Sequence, residues 1–508
     1  MLWLIAYAQG ILEALDMKYK EKKVFGVERD SFNSLFIFYS ISQCGIFLIL
    51  NSIYWDDWTI YNTSPNAILE YQAMLGSMFN SIGHLQAIML PVGPWFYRIL
   101  TFFLMFFSGI LLWHIIKRQD WINSETRFLI TMMFLILPFN WARITLIDFP
   151  YILCYFMFFL AWYHMERYRL MALILFFASF TTNSLLVFYA LPIADWYSRE
   201  NRVFIPSAIL NWGAGKIDFM IIPFVYWAIK KIYFRPYGLY VGYNEQFSFL
   251  HLLSSPYNMI RDFKNLNINI SVFICAFVTT WLLLPIPAQH DRLQNGRKLF
   301  ITSIIALACA LFPYCILGLT PTFLEWSSRH QLLMPLGAAM LLALFLMSLN
   351  AEYRKMALAI WIAGSLTITV QTYSELYFDW NKQKELVALM AENDSIRNAD
   401  LVIFDDHTEN ARNRQYRFYE WNGLLKYTFS NEIHFGISLD EQEPYDKGSF
   451  DTFFVACLNA RDHVRRPNQH RAMVRIEYAD KNSKAPFSRF LRHFKHQGNY
   501  SLVVFGNA

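Results

Sequence analysis

Long apolar runs separated by short polar loops fill the first three quarters of the chain. A helix that crosses a bilayer needs about 20 apolar residues, or fewer where the surrounding protein shields it. The runs therefore predict an α-helical, multi-pass membrane protein with about eleven spans, some of them short. We place these spans near residues 32–54, 96–116, 127–142, 148–165, 170–181, 184–197, 216–234, 267–287, 299–319, 331–349 and 355–374.

A polar turn divides one long apolar run into the fifth and sixth spans. The turn reads Thr-Thr-Asn-Ser over residues 181–184. If two short helices meet there, the basic loops alternate between the two sides of the membrane, whereas a single span breaks the alternation. Basic loops stay in the cytoplasm. We therefore place the N-terminal segment, 1–31, on the cytoplasmic side, and the loop 55–95, which lacks Lys and Arg, outside.

The chain changes character in its last quarter. Charges spread throughout residues 375–508, and the apolar runs become shorter. A helical pattern over 381–391 and two apolar runs over 401–404 and 501–505 predict a small α/β domain. The alternation of loops puts this domain on the outer face, which leaves residues 32–374 as the transmembrane domain.

Composition and charge narrow the possible function classes. Only 16% of the 508 residues are charged, against about 25% in soluble proteins, and 18% are aromatic. The net charge of +5 comes from basic residues between the apolar runs, which argues for membrane topology and against nucleic acid. The six cysteines show no zinc-site spacing, and no P-loop, GxSxG or HExxH motif is present. Nucleotide hydrolysis and serine or zinc proteolysis therefore lack support.

Two adjacent acids, Asp56 and Asp57, follow the first predicted span. They are either solvated loop acids or a helix cap, or else a catalytic base with a charged or metal partner. Adjacent carboxylates repel, so the pKa of one should rise unless a cation lies between them. Such a pair tunes a general base or holds a divalent cation such as Mg²⁺ or Mn²⁺. His84 belongs to the same outer loop.

A second, very short outer loop carries Arg143 and Asp148 just before the fourth span. The acid could cap that helix, because the helix dipole favours negative charge at its start. Both side chains nevertheless lie at membrane depth, where ionisable groups are costly and usually functional. We therefore treat both as candidate site residues.

Basic residues at the outer boundary form a third group of candidates. Arg329 precedes His330 in the loop before the tenth span, and Lys230 and Lys231 end the seventh. Arginine at a membrane boundary can extend harmlessly to the interface, but it is also the side chain best shaped to bind a phosphate in a bidentate manner. The lysines break the alternation of basic loops, so either the topology is misassigned there or they are functional.

Taken together, the layout resembles the GT-C superfamily of membrane glycosyltransferases. Three features carry the resemblance: the acidic pair Asp56-Asp57 after the first span, the Arg143-to-Asp148 loop that enters the fourth, and the paired short helices at 181–184. It covers roughly residues 30–375. The paired aromatic–acid motif of oligosaccharyltransferases is missing from the tail, which disfavours protein N-glycosylation.

The resemblance implies transfer of a sugar from a polyprenyl-phosphate donor to an acceptor on the outer side of the lipid bilayer. The acceptor would be a glycan or glycolipid: a lipid-linked glycan, lipopolysaccharide or another cell-surface glycan. Asp56 would be the base, with Asp57 and Asp148 assisting it or holding a metal, while Arg329 and His330 would bind the donor phosphate. Further candidate substrate contacts are Arg143, Lys230, Lys231 and His84.

Two other functions remain open at this stage. A transporter or flippase of lipid-linked glycans would share the aromatic and basic residues, but it predicts internal repeats, and none is visible in the sequence. A polymerase or ligase of lipid-linked glycans would depend on outer-loop arginines more than on Asp56-Asp57. The lack of a eukaryotic retention signal at the C-terminus favours a bacterial inner (plasma) membrane protein.

Overall fold

The computed structural model describes most of the chain, and the structure below refers to those residues. Most of the predicted N-terminal segment 1–31 lies outside them. The described residues are 23–61, 63–78, 81–200, 206–242, 247–263, 268–284, 295–323, 325–408, 410, 414–430, 434–448, 469–479 and 500–505.

Helices dominate the described structure, and six strands accompany them. The helices are α1 (Arg29–Gln43), α2 (Asp57–Ile60), α3 (Pro65–Met74), α4 (Ser81–Met89), α5 (Pro94–Lys117), α6 (Ser124–Ile136), α7 (Phe149–His164), α8 (Arg169–Ser179), α9 (Ser184–Phe188), α10 (Ala190–Glu200), α11 (Pro206–Ala214), α12 (Ile217–Tyr233), α13 (His251–Phe263), α14 (Ile270–Leu283), α15 (Gly296–Cys315), α16 (Met334–Ser348), α17 (Ala351–Ala391), α18 (Asp394–Arg397), α19 (Phe418–Phe429) and α20 (Gln442–Asp446). The strands are β1 (Lys23–Val24), β2 (Val27–Glu28), β3 (Leu401–Asp406), β4 (Phe435–Ser438), β5 (Arg471–Tyr478) and β6 (Tyr500–Phe505). Short 3-10 helices include Cys44–Ile49, Trp141–Ile144 and Glu325–Gln331.

Several helices are long and apolar enough to cross a membrane. Among the described residues four meet both conditions, namely Arg29–Ile49, α5, α15 and α17. Four shorter apolar helices accompany them: α7, α8, α14 and α16. A helix lies in every segment predicted as a span, so the helical membrane-protein class agrees with the structure, while the full count of eleven spans stays a prediction.

The polar turn at 181–184 interrupts the helix where the sequence predicts it. α8 ends at Ser179 and α9 begins at Ser184. The Ser184 hydroxyl lies 3.0 Å from the hydroxyl of Tyr314 in α15, so the turn faces a neighbouring helix and is not lost to solvent. Polar side chains at a helix break supply partners to the backbone groups that the break leaves without a helical bond.

The predicted boundary between 374 and 375 falls inside the continuous helix α17, and the division into domains stays a prediction. At 1.5 Å per residue a helix of 41 residues is about 60 Å long, twice the hydrocarbon thickness of a bilayer. Residues 365–391 contain neither Gly nor Pro, so nothing local stops the helix where its apolar surface gives way to a charged one.

The C-terminal segment contains a mixed four-stranded sheet in the order β4-β3-β5-β6. β3 is parallel to β4 and to β5, and β6 closes the edge antiparallel to β5. The predicted apolar runs 401–404 and 501–505 both lie in this sheet. α17 packs against α19 and β6, so one helix connects the apolar region to the sheet.

Candidate functional site

The two adjacent aspartates lie in a tight turn that other elements hold in place. The turn begins after the 3-10 helix Cys44–Ile49, and Trp55 adopts a left-handed φ of 51°. Such a φ is strained for a bulky side chain and persists only where the surroundings enforce it. The Tyr54 hydroxyl supplies one restraint by donating to the carbonyl of Leu376 in α17 at 2.7 Å. α2 then begins at Asp57.

Asp57 faces the protein interior. Its side chain is completely buried, and one oxygen accepts a hydrogen bond from the backbone N–H of Ile147 at 3.0 Å. Burial raises the pKa of Asp57 to about 7, against the opposing charge of Arg98 and the backbone N–H groups of residues 146 and 147. This hydrogen bond therefore links the turn that carries the two aspartates to the loop before α7.

Arg98 is the buried cation of this turn, and the sequence analysis did not select it. The guanidinium is inaccessible to solvent and donates to the carbonyls of Leu50 and Ser52 at 2.6 and 2.7 Å. One sequence feature could have marked Arg98 as a candidate. It follows Pro94-Trp-Phe-Tyr97 at the start of an apolar helix, where an ionisable residue is costly.

Asp56 has a different environment from its neighbour. It is half-buried, and its side chain makes no capping hydrogen bond to α2. Burial raises the pKa of Asp56 to about 6, opposed by the positive charges of Arg329 and Arg414, while the negative charge of Asp148 raises it further. The helix-cap interpretation therefore does not apply to Asp56, which lies among charges from three separate parts of the chain.

Asp148 lies directly before α7, yet it does not cap that helix either. The side chain is buried, and neither carboxylate oxygen has a hydrogen-bond partner in good geometry among the described residues. The nearby Thr145 hydroxyl donates instead to the carbonyl of Ala142 at 3.0 Å. The main compensating charge on Asp148 is that of Arg329.

Arg329 reaches this place because its 3-10 helix packs on the one before α7. The backbone N–H of Ala142 donates to the Ser328 hydroxyl at 3.0 Å, and that of Asn140 donates to the Gln331 side chain at 3.3 Å. The guanidinium of Arg329 lies 4.7 Å from the centre of the Trp55 ring. The structure thus brings together residues from three sequence-predicted loops: Asp56, Asp148 and Arg329.

Aromatic rings form one wall beside these charges. Trp55 stacks on Trp326 with ring centres 5.4 Å apart and planes 5° from parallel. Trp141 packs against the same Trp326 at 4.8 Å. Large flat apolar faces beside polar groups are suited to sugar rings, which present C–H groups on one face.

His330 is buried beside Arg329, and its predicted role in binding the donor phosphate stays a prediction. Its ring is buried against Tyr314, with centres 5.2 Å apart. Burial lowers the pKa of His330 to about 3, and the charge of Arg329 lowers it as well. The neutral ring accepts a hydrogen bond from Arg329 Nε at 3.4 Å, so His330 orients the arginine.

The other predicted substrate contacts lie apart from the aspartates. Arg143 donates to the Gln43 side chain at 2.6 Å, between α1 and α17. Lys230 donates to Asn183 of the polar turn at 2.9 Å. Lys231 lies over the Trp227 ring at 4.9 Å, and His84 is exposed.

The C-terminal segment adds two residues that the sequence analysis did not select, Arg414 and Tyr419. Tyr419 is hydrogen-bonded to the side chain of Asp56, and the charge of Arg414 acts on the same carboxylate. Arg414 also pairs with the buried Glu420. No sequence motif marks these positions, because only the packing of α19 on α2 places them beside Asp56.

A divalent cation at Asp56-Asp57 is not well supported by the arrangement of ligands. Within the described part of the chain, no three His, Cys, Asp or Glu side chains form a group that could hold a metal. One Asp57 oxygen is already bonded to the backbone N–H of Ile147. A hard cation such as Mg²⁺ needs several oxygen ligands around one point, so we derive no step through a metal.

Comparisons of the chain with models of protein families, with curated proteins and with solved structures find no match.

Proposed function

We propose that the chain is a GT-C-type membrane glycosyltransferase that moves a sugar from a polyprenyl-phosphate donor to an acceptor hydroxyl. The observation that carries the proposal is the position of Asp56, a half-buried carboxylate flanked by two guanidiniums and beside an aromatic wall. Its pKa, raised to about 6, is that of a group which is ionised near neutral pH and still basic enough to take a proton.

The reaction requires a base and a stabilised leaving group. The acceptor hydroxyl loses its proton to Asp56 as its oxygen bonds to the anomeric carbon of the sugar. The bond between that carbon and the phosphate oxygen breaks, and its electron pair leaves with the lipid phosphate. Arg329 is the cation placed to stabilise the negative charge that develops there.

Proton transfer and phosphate departure reinforce each other at this site. Before the reaction, the positive charge of Arg329 is shared between the carboxylates of Asp56 and Asp148. When Asp56 takes the acceptor proton it becomes neutral, so Arg329 interacts more strongly with the leaving phosphate. The neutral His330 holds the guanidinium without competing for the anion.

The aspartate pair thus divides its roles. Asp56 is the proposed base, whereas Asp57 is a positioning residue, since it is buried and bonded to the backbone before α7. The donor would enter from the bilayer, and the acceptor, a surface glycan or glycolipid, from the outer side.

The proposed location is a bacterial inner membrane, with the C-terminal sheet and its helices as an extracytoplasmic α/β domain above Asp56. This placement is supported by the basic loops on the opposite side of the predicted spans. It gives the acceptor access to the half-buried face of Asp56 without crossing the bilayer.

Complementation with single aspartate variants tests the proposed function. Cells that lack the chain receive wild type, Asp56→Asn or Asp57→Asn, and their surface glycans are analysed by mass spectrometry. Asp120→Asn, which changes an exposed aspartate, is the matched control. We expect Asp56→Asn to lose one sugar at a normal level of membrane expression, while the control keeps it.

The same experiment separates the alternatives. If Asp56→Asn is expressed normally and leaves the glycan intact, transfer by this base is excluded. A transporter or a polymerase that depends on arginines then becomes the better explanation. The purified chain in lipid vesicles distinguishes those two, since a polymerase would lengthen the lipid-linked glycan and a transporter would move it unchanged to the other leaflet.

A further inference from the structure

A carboxylate that acts as a base needs a fixed direction as well as a suitable pKa. Asp56 has no bond to the N-terminus of α2, so its own helix does not orient it. Its hydrogen bond to a side chain comes from Tyr419, which belongs to the C-terminal segment. A phenol that donates to one carboxylate oxygen leaves the other oxygen available to an acceptor hydroxyl.

Tyr419 is held rigidly at the start of α19. The next residue, Glu420, accepts a hydrogen bond from the backbone N–H of Arg417 at 3.0 Å and so supplies a partner for a backbone donor at the start of the helix. The same carboxylate pairs with Arg414. The turn that carries Tyr419 is therefore fixed by its own side chains.

The segment between β3 and α19 is also clamped to α17. Lys382 of α17 donates to Asp406 at 2.6 Å, and the Tyr416 hydroxyl donates to Asp379 of α17 at 2.8 Å. Lys382 is completely buried. Two side chains one turn apart on α17 thus bind residues that lie on either side of Arg414 in the sequence.

α19 packs directly on the turn that carries Asp56. A Cβ atom added to Gly423 would lie 2.6 Å from the ring of Trp58, so only glycine allows this approach. Trp58 is itself buried. The distance between Tyr419 and Asp56 is therefore fixed by close packing and not by a flexible linker.

We propose, on the basis of the function proposed above, that Tyr419 is a positioning residue that orients the Asp56 carboxylate toward the acceptor, with Arg414 holding its charge. The C-terminal segment then completes the active site and is needed for the chemistry itself. This assigns a role to a part of the chain for which the sequence predicts only a fold.

Tyr419 and Arg414 also affect how the reaction depends on pH. Several groups face Asp56 from the elements packed against it, and they are Arg329, Asp148, Tyr71, Arg414 and Tyr419. The Tyr419 hydrogen bond and the Arg414 charge both favour the ionised carboxylate. Removal of either one raises the pKa of Asp56, so the acidic limb of the pH–activity profile moves to higher pH.

The test uses the full-length chain in membranes that contain the native lipid-linked donor. Product glycan is measured by mass spectrometry between about pH 5 and pH 8 for wild type and Tyr419→Phe. We expect the midpoint of the acidic limb to rise by about 0.5–1 pH unit, with reduced activity below it. Tyr427→Phe, in the same helix but with its side chain exposed, should leave the midpoint unchanged.

A second variant protects the test against misfolding. Arg414→Gln combined with Glu420→Gln replaces the buried ion pair by two amides of similar shape and should shift the midpoint in the same direction. An unshifted midpoint in both variants overturns the proposal for Tyr419. If the midpoints are unshifted but Asp56→Asn is inactive in the same membranes, only the role of Tyr419 fails and the proposed glycosyl transfer stands. If Asp56→Asn is active, the proposed glycosyl transfer by Asp56 fails as well.

Discussion

Arg98 should be essential for the stability of the turn that carries the aspartates. In Arg98→Met the carbonyls of Leu50 and Ser52 lose their donor, and Asp57 loses the cation that faces it. Removing one of two interacting buried charges costs about 3–5 kcal/mol, because the remaining charge stays buried without compensation. We expect Arg98→Met to lose stability in that range.

The double variant Arg98→Met/Asp57→Asn tests whether the loss of stability in Arg98→Met comes from the charge of Asp57, which stays buried without its cation. Because the amide introduced by Asp57→Asn keeps an oxygen that accepts from the backbone N–H of Ile147, the second substitution removes only the stranded charge. The double variant should therefore regain about 1–3 kcal/mol relative to the single one, as expected for two buried groups whose charges interact.

The free energy of unfolding is measured in mixed detergent micelles by titration with a denaturing detergent, with tryptophan fluorescence as the signal. Arg297→Met, at an exposed position in the first turn of α15, is the matched control and should change stability by less than about 0.5 kcal/mol. If Arg98→Met were as stable as the control, or if the double variant were simply additive, the buried pairing of Arg98 with Asp57 would be refuted.

The titration and packing of the groups around the aspartates are open to three further tests. The activity of the wild type should rise with a midpoint near pH 6, where Asp56 loses its proton, and a pH–rate profile in membranes checks this. The pKa of Asp57 is raised from an ordinary 3.8 to about 7 in the folded state, so between these two values the folded state retains a proton that the unfolded state loses. The free energy of unfolding should therefore fall between about pH 4 and 7. Asp57→Asn should flatten that slope in the micelle titration. Gly423→Ala should cost about 1–3 kcal/mol and lower glycan transfer because its Cβ meets Trp58, whereas Gly364→Ala, which has open space within α17, should leave transfer unchanged and stabilise the helix by up to about 1 kcal/mol.

Much of the helical layout can be predicted from the sequence. Apolar runs determine where helices form, and the polar residues at 181–184 determine where one of them is interrupted. The choice of Asp56, Asp148 and Arg329 as candidates rests on the cost of charge near a membrane, and the structure brings these three together.

Other features depend on three-dimensional contacts that no local pattern records. Nothing in the pair Asp56-Asp57 indicates that one faces Arg98 in the interior and the other faces Tyr419. Likewise, nothing in the sequence indicates that His330 is buried against Tyr314 and that burial lowers its pKa. The predicted boundary falls within α17 because a loss of apolar character does not by itself end a helix.

The continuity of α17 has a mechanical consequence. Lys382 lies about 45 Å along the helix from its first residue at 1.5 Å per residue, so a change in tilt of about 3° moves it by about 2 Å. The segment clamped to Lys382 and Asp379 travels with it, and so do Arg414 and Tyr419. Helix tilt responds to the thickness of the surrounding bilayer. Because Trp58 packs on α19 and Tyr54 is bonded to Leu376 of α17, the turn of Asp56 would move with them, so a change in tilt would shift the proposed site as one unit and keep the Tyr419–Asp56 contact intact.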